Sequence, residues 1–151
     1  MMTYIRNALE KDAAEIAEIE KDCFSSPWSE GSVLSEIQSR ESVFLVAKKQ
    51  KNIVGYISAK IISGEIYINN LAVKKECRNK GIATALLDTM ISYAENEDCS
   101  FITLEVRVSN SAARGLYENF GFRFLGERKD FYSLPTENAA IYTLYLKEDN
   151  K

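Results

Sequence analysis

Arg78-Asn79-Lys80-Gly81-Ile82-Ala83 separates an apolar, strand-like run, Ile66 to Val73, from a strongly amphipathic stretch, Ile82 to Ala94. A strand that feeds a short basic, glycine-bearing loop, which in turn opens a helix, is a place to hold phosphate. The first backbone N–H groups of a helix have no intrahelical acceptor and point outward, and the helix dipole favours an anion there. Gly81 has no Cβ, so backbone at that position can approach a ligand closely. Arg78 and Lys80 add positive charge. The loop contains neither Gly-x-Gly-x-x-Gly nor Gly-Lys-Ser/Thr, so a dinucleotide fingerprint and a P-loop both fit poorly.

Outward from this loop, the pattern alternates strands and helices. Thr3 to Arg6 reads as a first short strand. Asp12-Ala13-Ala14-Glu15 has the logic of a capping box, with Asp12 as N-cap and Glu15 reaching back. Ile16, Ile19 and Cys23 then mark one helical face. Ser29 is expected to cap a second helix, with Trp28 and Val33 spaced as a hydrophobic staple and Leu34 and Ile37 continuing the apolar side. Val43 to Ala47, Ile53 to Ile62 and Glu65 to Val73 form an antiparallel meander. Asn69-Asn70 interrupts its third strand, either as a strand end or as a bulge that frees backbone groups for a ligand.

Ala83, Leu86, Leu87, Met90, Ile91 and Ala94 form a core stripe on the next helix. Phe101 to Val106 is the following strand. Asn110 offers an N-cap to a short helix carrying Ala112, Ala113, Leu116, Tyr117 and Phe120, stopped by Gly121. Two more strands are expected near Phe122 to Arg128 and Ala140 to Leu146. The order β-α-α-β-β-β-α-β-α-β-β describes an α/β or α+β mixed sheet with helices on its faces. At 151 residues, with neither repeats nor an obvious linker, residues 1–151 are expected to form one domain.

Hydrophobic residues make up 46% and charged residues 27%, which is ordinary globular usage. A net charge of −3 lacks the basic footprint of a non-specific nucleic-acid binder and suits a cationic substrate. Three cysteines, Cys23, Cys77 and Cys99, fit no zinc spacing and read as reduced thiols in the cytoplasm. Histidine is absent, which removes His-based triads and His metal sites, and no metal is expected. No apolar leader and no long apolar span point to secretion or a membrane.

Three residues could carry chemistry. Glu105 sits inside an apolar strand, where a carboxylate is unusual because burying it unpaired is costly. Strict alternation places it on one face with Phe101, Thr103 and Arg107. It is either a salt-bridge partner, to Arg107 or a neighbouring strand, or a general base raised by desolvation. Tyr117 is either a buried core aromatic or a proton donor facing a cleft. Asn110 either caps its helix or reaches a ligand amide.

The blocks Asn69-Asn70-Leu71-Ala72-Val73, Arg78-Asn79-Lys80-Gly81-Ile82-Ala83, Leu104-Glu105-Val106-Arg107-Val108-Ser109-Asn110 and Leu116-Tyr117-Glu118-Asn119-Phe120-Gly121-Phe122 together resemble the GNAT N-acetyltransferase family. More narrowly they resemble its RimI branch, the ribosomal-protein-alanine N-acetyltransferases. Cys23-Phe24-Ser25-Ser26-Pro27-Trp28-Ser29 and Arg128-Lys129-Asp130-Phe131-Tyr132 extend the likeness to nearly the whole chain.

The resemblance implies a mixed, mostly antiparallel sheet with helices on both faces and acetyl-CoA as cosubstrate. Leu71, Ala72 and Val73 would offer backbone to the pantetheine arm. Arg78, Asn79, Lys80, Gly81, Ile82, Ala83 and Thr84 would hold the pyrophosphate, and Asn110 would contact the cofactor. Glu105 would accept the amine proton and Tyr117 would protonate the departing thiolate. Phe24, Trp28 and Tyr132 would line the acceptor pocket, and a protein N-terminus, that of a ribosomal protein, would be the partner of a monomeric enzyme. Two positions depart from the branch pattern: Phe131 stands where the first of two tyrosines is usual, and Glu137-Asn138 where an acidic pair is usual. Alternative acceptors are a small amine, such as a polyamine or an aminoglycoside, or a Lys side chain. An idle acetyl-CoA-binding module is the alternative from another class.

Overall fold

In the computed structural model, residues 2–147 are described. A seven-stranded sheet runs in the order β1-β2-β3-β4-β5-β7-β6. Its strands are β1 (Thr3–Asn7), β2 (Ser42–Lys49), β3 (Asn52–Ile62), β4 (Glu65–Val73), β5 (Phe101–Arg107), β6 (Arg123–Tyr132) and β7 (Glu137–Tyr145). Four α-helices are interleaved: α1 (Ala13–Cys23), α2 (Glu30–Gln38), α3 (Ile82–Asn96) and α4 (Ser111–Asn119). Every neighbouring pair of strands is antiparallel except β4 and β5.

Helices cover both faces, which is why β2 and β3 read as nearly continuous apolar runs. On one face Leu86, Leu87 and Met90 of α3 pack on Leu45, Ile57, Ile66 and Ile102, with Tyr117 of α4 in the same cluster. On the other, Ile16 and Ile19 of α1 and Val33 of α2 pack on Phe44, Val46 and Tyr56. Strand β5 alternates as expected, with Ile102, Leu104 and Val106 buried and Thr103, Glu105 and Arg107 half-buried. The edge strand β6 is exposed along most of its length and continues past Arg128 to Tyr132. The polar Lys129-Asp130 pair does not end it, because an edge strand can carry charge on either face.

Local signals hold where no tertiary partner competes. The Ser29 hydroxyl accepts the Ser32 N–H and caps α2. The Asp12-Glu15 capping box does not form. Asp12 has helical backbone angles and closes a 3-10 turn, Glu10–Asp12. Its carboxylate accepts the Leu9 N–H at 2.7 Å and both arms of Arg6 at 2.8 and 3.1 Å. Glu15 instead accepts the Ile53 N–H on β3 at 2.8 Å. A buried, charge-assisted pair outweighs a local cap.

Asn69-Asn70 is a bulge. Ser58 pairs with Asn70 and Ala59 with Ile68, so Asn69 is the extra residue. On the opposite edge, β4 pairs with β5 only at Glu65, Ile66 and Tyr67. The two strands then part, and a cleft opens between their carboxyl ends.

Gly55 on β3 supports the wall of this cleft. A Cβ there would lie 2.9 Å from the Ala72 carbonyl oxygen and 3.2 Å from Val73 Cγ2. Gly55→Ala is expected to push on β4 and to lower the melting temperature by roughly 3–10 °C, the scale of an overpacked core in a domain of this size. Thermal denaturation followed by circular dichroism checks this.

Candidate active site

The cleft encloses about 430 Å³. Leu71, Ala72 and Val73 form one wall, and Ala112, Ala113, Leu116 and Tyr117 of α4 form the other. Arg78, Asn79 and Gly81 to Thr84 close one end, with Asn110, Phe24, Cys23 and Cys77 completing the lining.

The closing end is built for an anion. Asn79 (φ +62°) and Gly81 (φ +80°) both hold left-handed backbone, a geometry that turns successive N–H groups inward. Gly81 is the N-cap of α3, and no side chain caps that helix. Its first N–H groups are left to a ligand. Arg78 is folded back, its Nε donating to the Val73 carbonyl at 3.1 Å, and its Nη2 lies 3.4 Å from Cys23 Sγ. At the start of α4 the situation is reversed: Asn110 Oδ1 accepts the Ala113 N–H at 3.1 Å, so that helix caps itself. An elongated ligand with phosphate at one end and an apolar arm fits this cleft, its arm lying along the free edge of β4.

Tyr117 faces the cleft from α4 and is 5% exposed. A helix stop fixes its position. The Phe122 N–H donates to the Tyr117 carbonyl and the Gly121 N–H to the Glu118 carbonyl, with Gly121 at φ +92°. These are the two bonds of a Schellman motif. The Tyr117 and Phe122 rings, 5.4 Å apart, supply its apolar contact. Among the described residues the Tyr117 hydroxyl has no hydrogen-bond partner. Burial pushes its pKa far above the ordinary tyrosine value, and Tyr132 acts in the same sense.

Glu105 lies outside this lining. Its carboxylate is 31% exposed and pairs with Arg128 Nε at 2.5 Å. The expected Glu105–Arg107 pair does not form, although a salt bridge to another strand does. That partner comes from β6, beyond β7. Arg107 instead ties three segments together. It donates to the carbonyls of Ser133 and Pro135, each at 2.9 Å, to Ser25 Oγ at 3.3 Å and to Glu137 at 3.1 Å. Its guanidinium also lies 4.6 Å from the Tyr132 ring centre. Burial pushes the Tyr132 hydroxyl up to about 12, with Glu105 and Glu137 adding to the rise and Arg107 opposing it.

Of the residues singled out from sequence, the cleft gathers Leu71, Ala72, Val73, Arg78, Asn79, Gly81, Ile82, Ala83, Thr84, Asn110, Tyr117 and Phe24. Lys80, Trp28, Tyr132 and Glu105 are not part of its lining. Cys23, Cys77, Ala112, Ala113 and Leu116 are lining residues that the sequence did not mark. Small apolar residues at helical spacing fit a core face and a ligand wall equally well. Among the described residues no group of three or more His, Cys, Asp or Glu could hold a metal, and no helix is long and apolar enough to cross a membrane.

The model of the Acetyltransferase (GNAT) family matches residues 13–122. A ribosomal protein bS18-alanine N-acetyltransferase of Haemophilus ducreyi is 34% identical over 145 residues, 94% of this chain and 99% of the relative. The crystal structure of the ribosomal-protein-S18-alanine N-acetyltransferase from Escherichia coli superposes with a TM-score of 0.91 at 27% identity, covering 97% of this chain and 95% of that one. A chain of the NatC complex bound to Gag peptide and CoA superposes with a TM-score of 0.84 at 26% identity, covering 97% and 100%.

Two outcomes follow from the geometry. A Cβ at Gly81 would meet no protein atom within 4 Å, so in Gly81→Ala the added methyl crowds the ligand rather than the protein. Holding left-handed backbone costs the variant about 1–2 kcal/mol. Acetyl-CoA binding, read by calorimetry, is expected to weaken about tenfold. Separately, Tyr117 and Tyr132 hold their protons longer when folded than the ordinary value near 10. Between pH 10 and about 12 the unfolded chain has released these protons and the folded chain has not, which favours unfolding. Their contribution to stability is full below pH 10 and is lost as pH rises through the folded values. The melting temperature should fall across this window, and Tyr132→Phe should flatten the fall.

Proposed function

The chain belongs to the GNAT acetyltransferase family and takes its acetyl group from acetyl-CoA, and on that premise we propose that it acetylates the free α-amino group of a protein N-terminus. The acceptor is the N-terminal Ala of a ribosomal protein, modified in the cytoplasm by residues 1–151 acting as one domain. The observation that carries this reading is the Arg107 staple. It ties Ser25 of the Phe24–Trp28 loop to the β6–β7 turn, on the strand that carries Glu105, which supports an acceptor side drawn from several segments. The relatives named as ribosomal-protein-alanine N-acetyltransferases match along nearly the whole chain, these segments included.

Bound acetyl-CoA supplies a thioester whose carbonyl an amine can attack and whose thiolate can leave. The residues of the chain do the rest. The uncapped start of α3 and Arg78 hold the pyrophosphate, and Leu71 to Val73 hold the pantetheine arm along the free edge of β4. Glu105 removes the proton from the incoming ammonium, directly or through water. The arriving cation takes the place of Arg128, whose exposed ion pair is worth about 1 kcal/mol or less. An α-ammonium has a pKa near 8 against about 10.4 for Lys, so deprotonating it costs about two units less. A single carboxylate suffices more readily for the α-amine.

A backbone N–H beside the Asn69-Asn70 bulge stabilises the oxyanion that develops as the new C–N bond forms. Collapse breaks the C–S bond. Tyr117 gives its proton to the departing sulfur, and the nitrogen, which still carries one proton more than an amide, gives that proton through water to the Tyr117 phenolate, while Glu105 releases to solvent the proton it took from the ammonium. Burial keeps Tyr117 protonated, and the same dry wall raises the proton affinity of the thiolate it serves.

Mass spectrometry of the purified enzyme with acetyl-CoA and two peptides tests the acceptor. One peptide begins with free Ala and lacks Lys; the other has a blocked N-terminus and one Lys. Acetylation of the first alone is expected. Acetylation of the second alone would make the enzyme a lysine acetyltransferase, and modification of neither would turn attention to small amines. Glu105→Gln is expected to lower kcat on the order of 10²-fold or more while acetyl-CoA affinity changes by less than about twofold. Unchanged turnover would remove Glu105 from the mechanism.

A further inference from the structure

Glu20, near the end of α1, is 1% exposed and has no part in the chemistry above. Its Oε1 accepts the Trp28 backbone N–H at 2.8 Å. Its Oε2 accepts Asn70 Nδ2 at 2.9 Å and the Tyr56 hydroxyl. One side chain therefore joins α1, the α1–α2 loop, β3 and the bulge of β4. Desolvation makes an apolar residue the cheaper choice at such a position for folding alone. Burial raises the proton affinity of this carboxyl, with the Trp28 and Asn70 hydrogen bonds acting against the rise.

A second carboxylate repeats the contact from the other side of the loop. Glu36 on α2 accepts Asn69 Nδ2 at 3.3 Å and pairs with Lys60 Nζ at 3.1 Å. The two consecutive amides of the bulge are thus held by two carboxylates, one from each helix that flanks the α1–α2 loop. Phe24 enters the cleft from that loop, and Leu71 lines the cleft one residue after Asn70.

We infer that Glu20 is a positioning residue. It fixes the acceptor loop, through Trp28, to the β4 bulge, so that the amine and the acyl carbon meet at a set separation. This rests on reading the loop as the acceptor side. Such a tie matters because a misplacement of about 1 Å at the reacting atoms can cost on the order of 10²-fold in rate. A carboxylate is suited to the role, since both oxygens accept and three donors converge on them. An amide cannot reproduce this, because one of its two ends donates.

The test uses Glu20→Gln and the fact that Trp28 is the sole tryptophan. Acrylamide quenching of its fluorescence reports the loop whether or not any amine is acetylated. Kinetics are run on whichever amine the wild-type enzyme modifies, so failure of the N-terminal reading is seen in the wild type and failure of this inference only in the variant. Trp28 is expected to become more open to quencher. The acceptor kcat/KM should fall about tenfold, the scale of one lost charge-assisted hydrogen bond. Acetyl-CoA affinity should stay within about twofold, because the α3 end of the cleft is untouched.

If Glu20→Gln does not fold, Asn70→Ala removes one donor at the half-buried bulge and should shift acceptor use in the same direction by a smaller factor. Pairing Glu20→Gln with Asn70→Asp restores a donor–acceptor match and should recover part of the loss. Unchanged quenching, or an unchanged acceptor kcat/KM beside a loosened Trp28, would overturn the inference. So would an equal loss of acetyl-CoA affinity, which a general structural defect would produce.

Discussion

The parting of β4 from β5 after Tyr67 is the constraint on which the site depends. They form the one parallel pair of the sheet, so both strands run toward the same end. The segments that follow them, leading to α3 and α4, therefore begin side by side. Past Tyr67 the facing edge of β4 has no strand to bond, and buried backbone groups without partners are costly. The gap has to be filled by a ligand or by water. The carboxyl ends of parallel strands, where neighbouring connections diverge, are where open sheets accept ligands in general. The bulge at Asn69 lies on the other edge of β4, just before the stretch Leu71 to Val73 that lines the opening.

The two helix starts at this opening are not equivalent. Asn110 caps α4 with its own side chain, whereas α3 begins at Gly81 with no cap. An anion is therefore drawn to α3, and α4 is left to present small apolar residues and Tyr117. This asymmetry orients an elongated ligand. On the proposed reading, its charged end would lie at the basic loop and its arm would run back along β4 toward the bulge. The Schellman stop at Gly121 then matters for chemistry as well as for packing, since the same residues that end α4 hold the Tyr117 ring in place.

Features encoded within a few residues were legible in the sequence. The apolar stripe of α3, the meander from β2 to β4 and the Ser29 cap all depend on nearest neighbours along the chain or across one hairpin, whereas Asn69-Asn70 as a sequence fits a strand end as well as the bulge that forms. Features decided by distant partners were not. Asp12 and Glu15 have the spacing of a capping box, yet Arg6 and Ile53 take their carboxylates. Glu105 was marked as an unusual carboxylate, but its partner, Arg128, lies two strands away across β7. Arg107 carried no signal of a hub, because its acceptors are mostly backbone carbonyls of a turn whose path is set by tertiary structure. Ala112, Ala113 and Leu116 could not be assigned to core or cleft, since both surfaces demand the same apolar spacing.

On the proposed reading, the site has two halves built from different materials. The cofactor half is made of backbone: a free strand edge, a left-handed loop and an uncapped helix start, drawn largely from the single run Leu71 to Thr84. It asks little of side chains beyond small size and one or two cations. The proposed acceptor half would draw on side chains from three separate stretches, Phe24 to Trp28, Glu105 to Arg107 and Phe131 to Asn138, which Arg107 ties together through Ser25, Ser133, Pro135 and Glu137. Changing a backbone cradle requires changing the fold, whereas changing a side-chain pocket requires only substitution. Departures from the branch pattern at Phe131 and Asn138 would both fall in this proposed acceptor half, where substitution could alter the amine while the hold on acetyl-CoA stays the same. The link between the halves is narrow. It consists of the carboxylates of Glu20 and Glu36, which grip the bulge from the two helices flanking the α1–α2 loop.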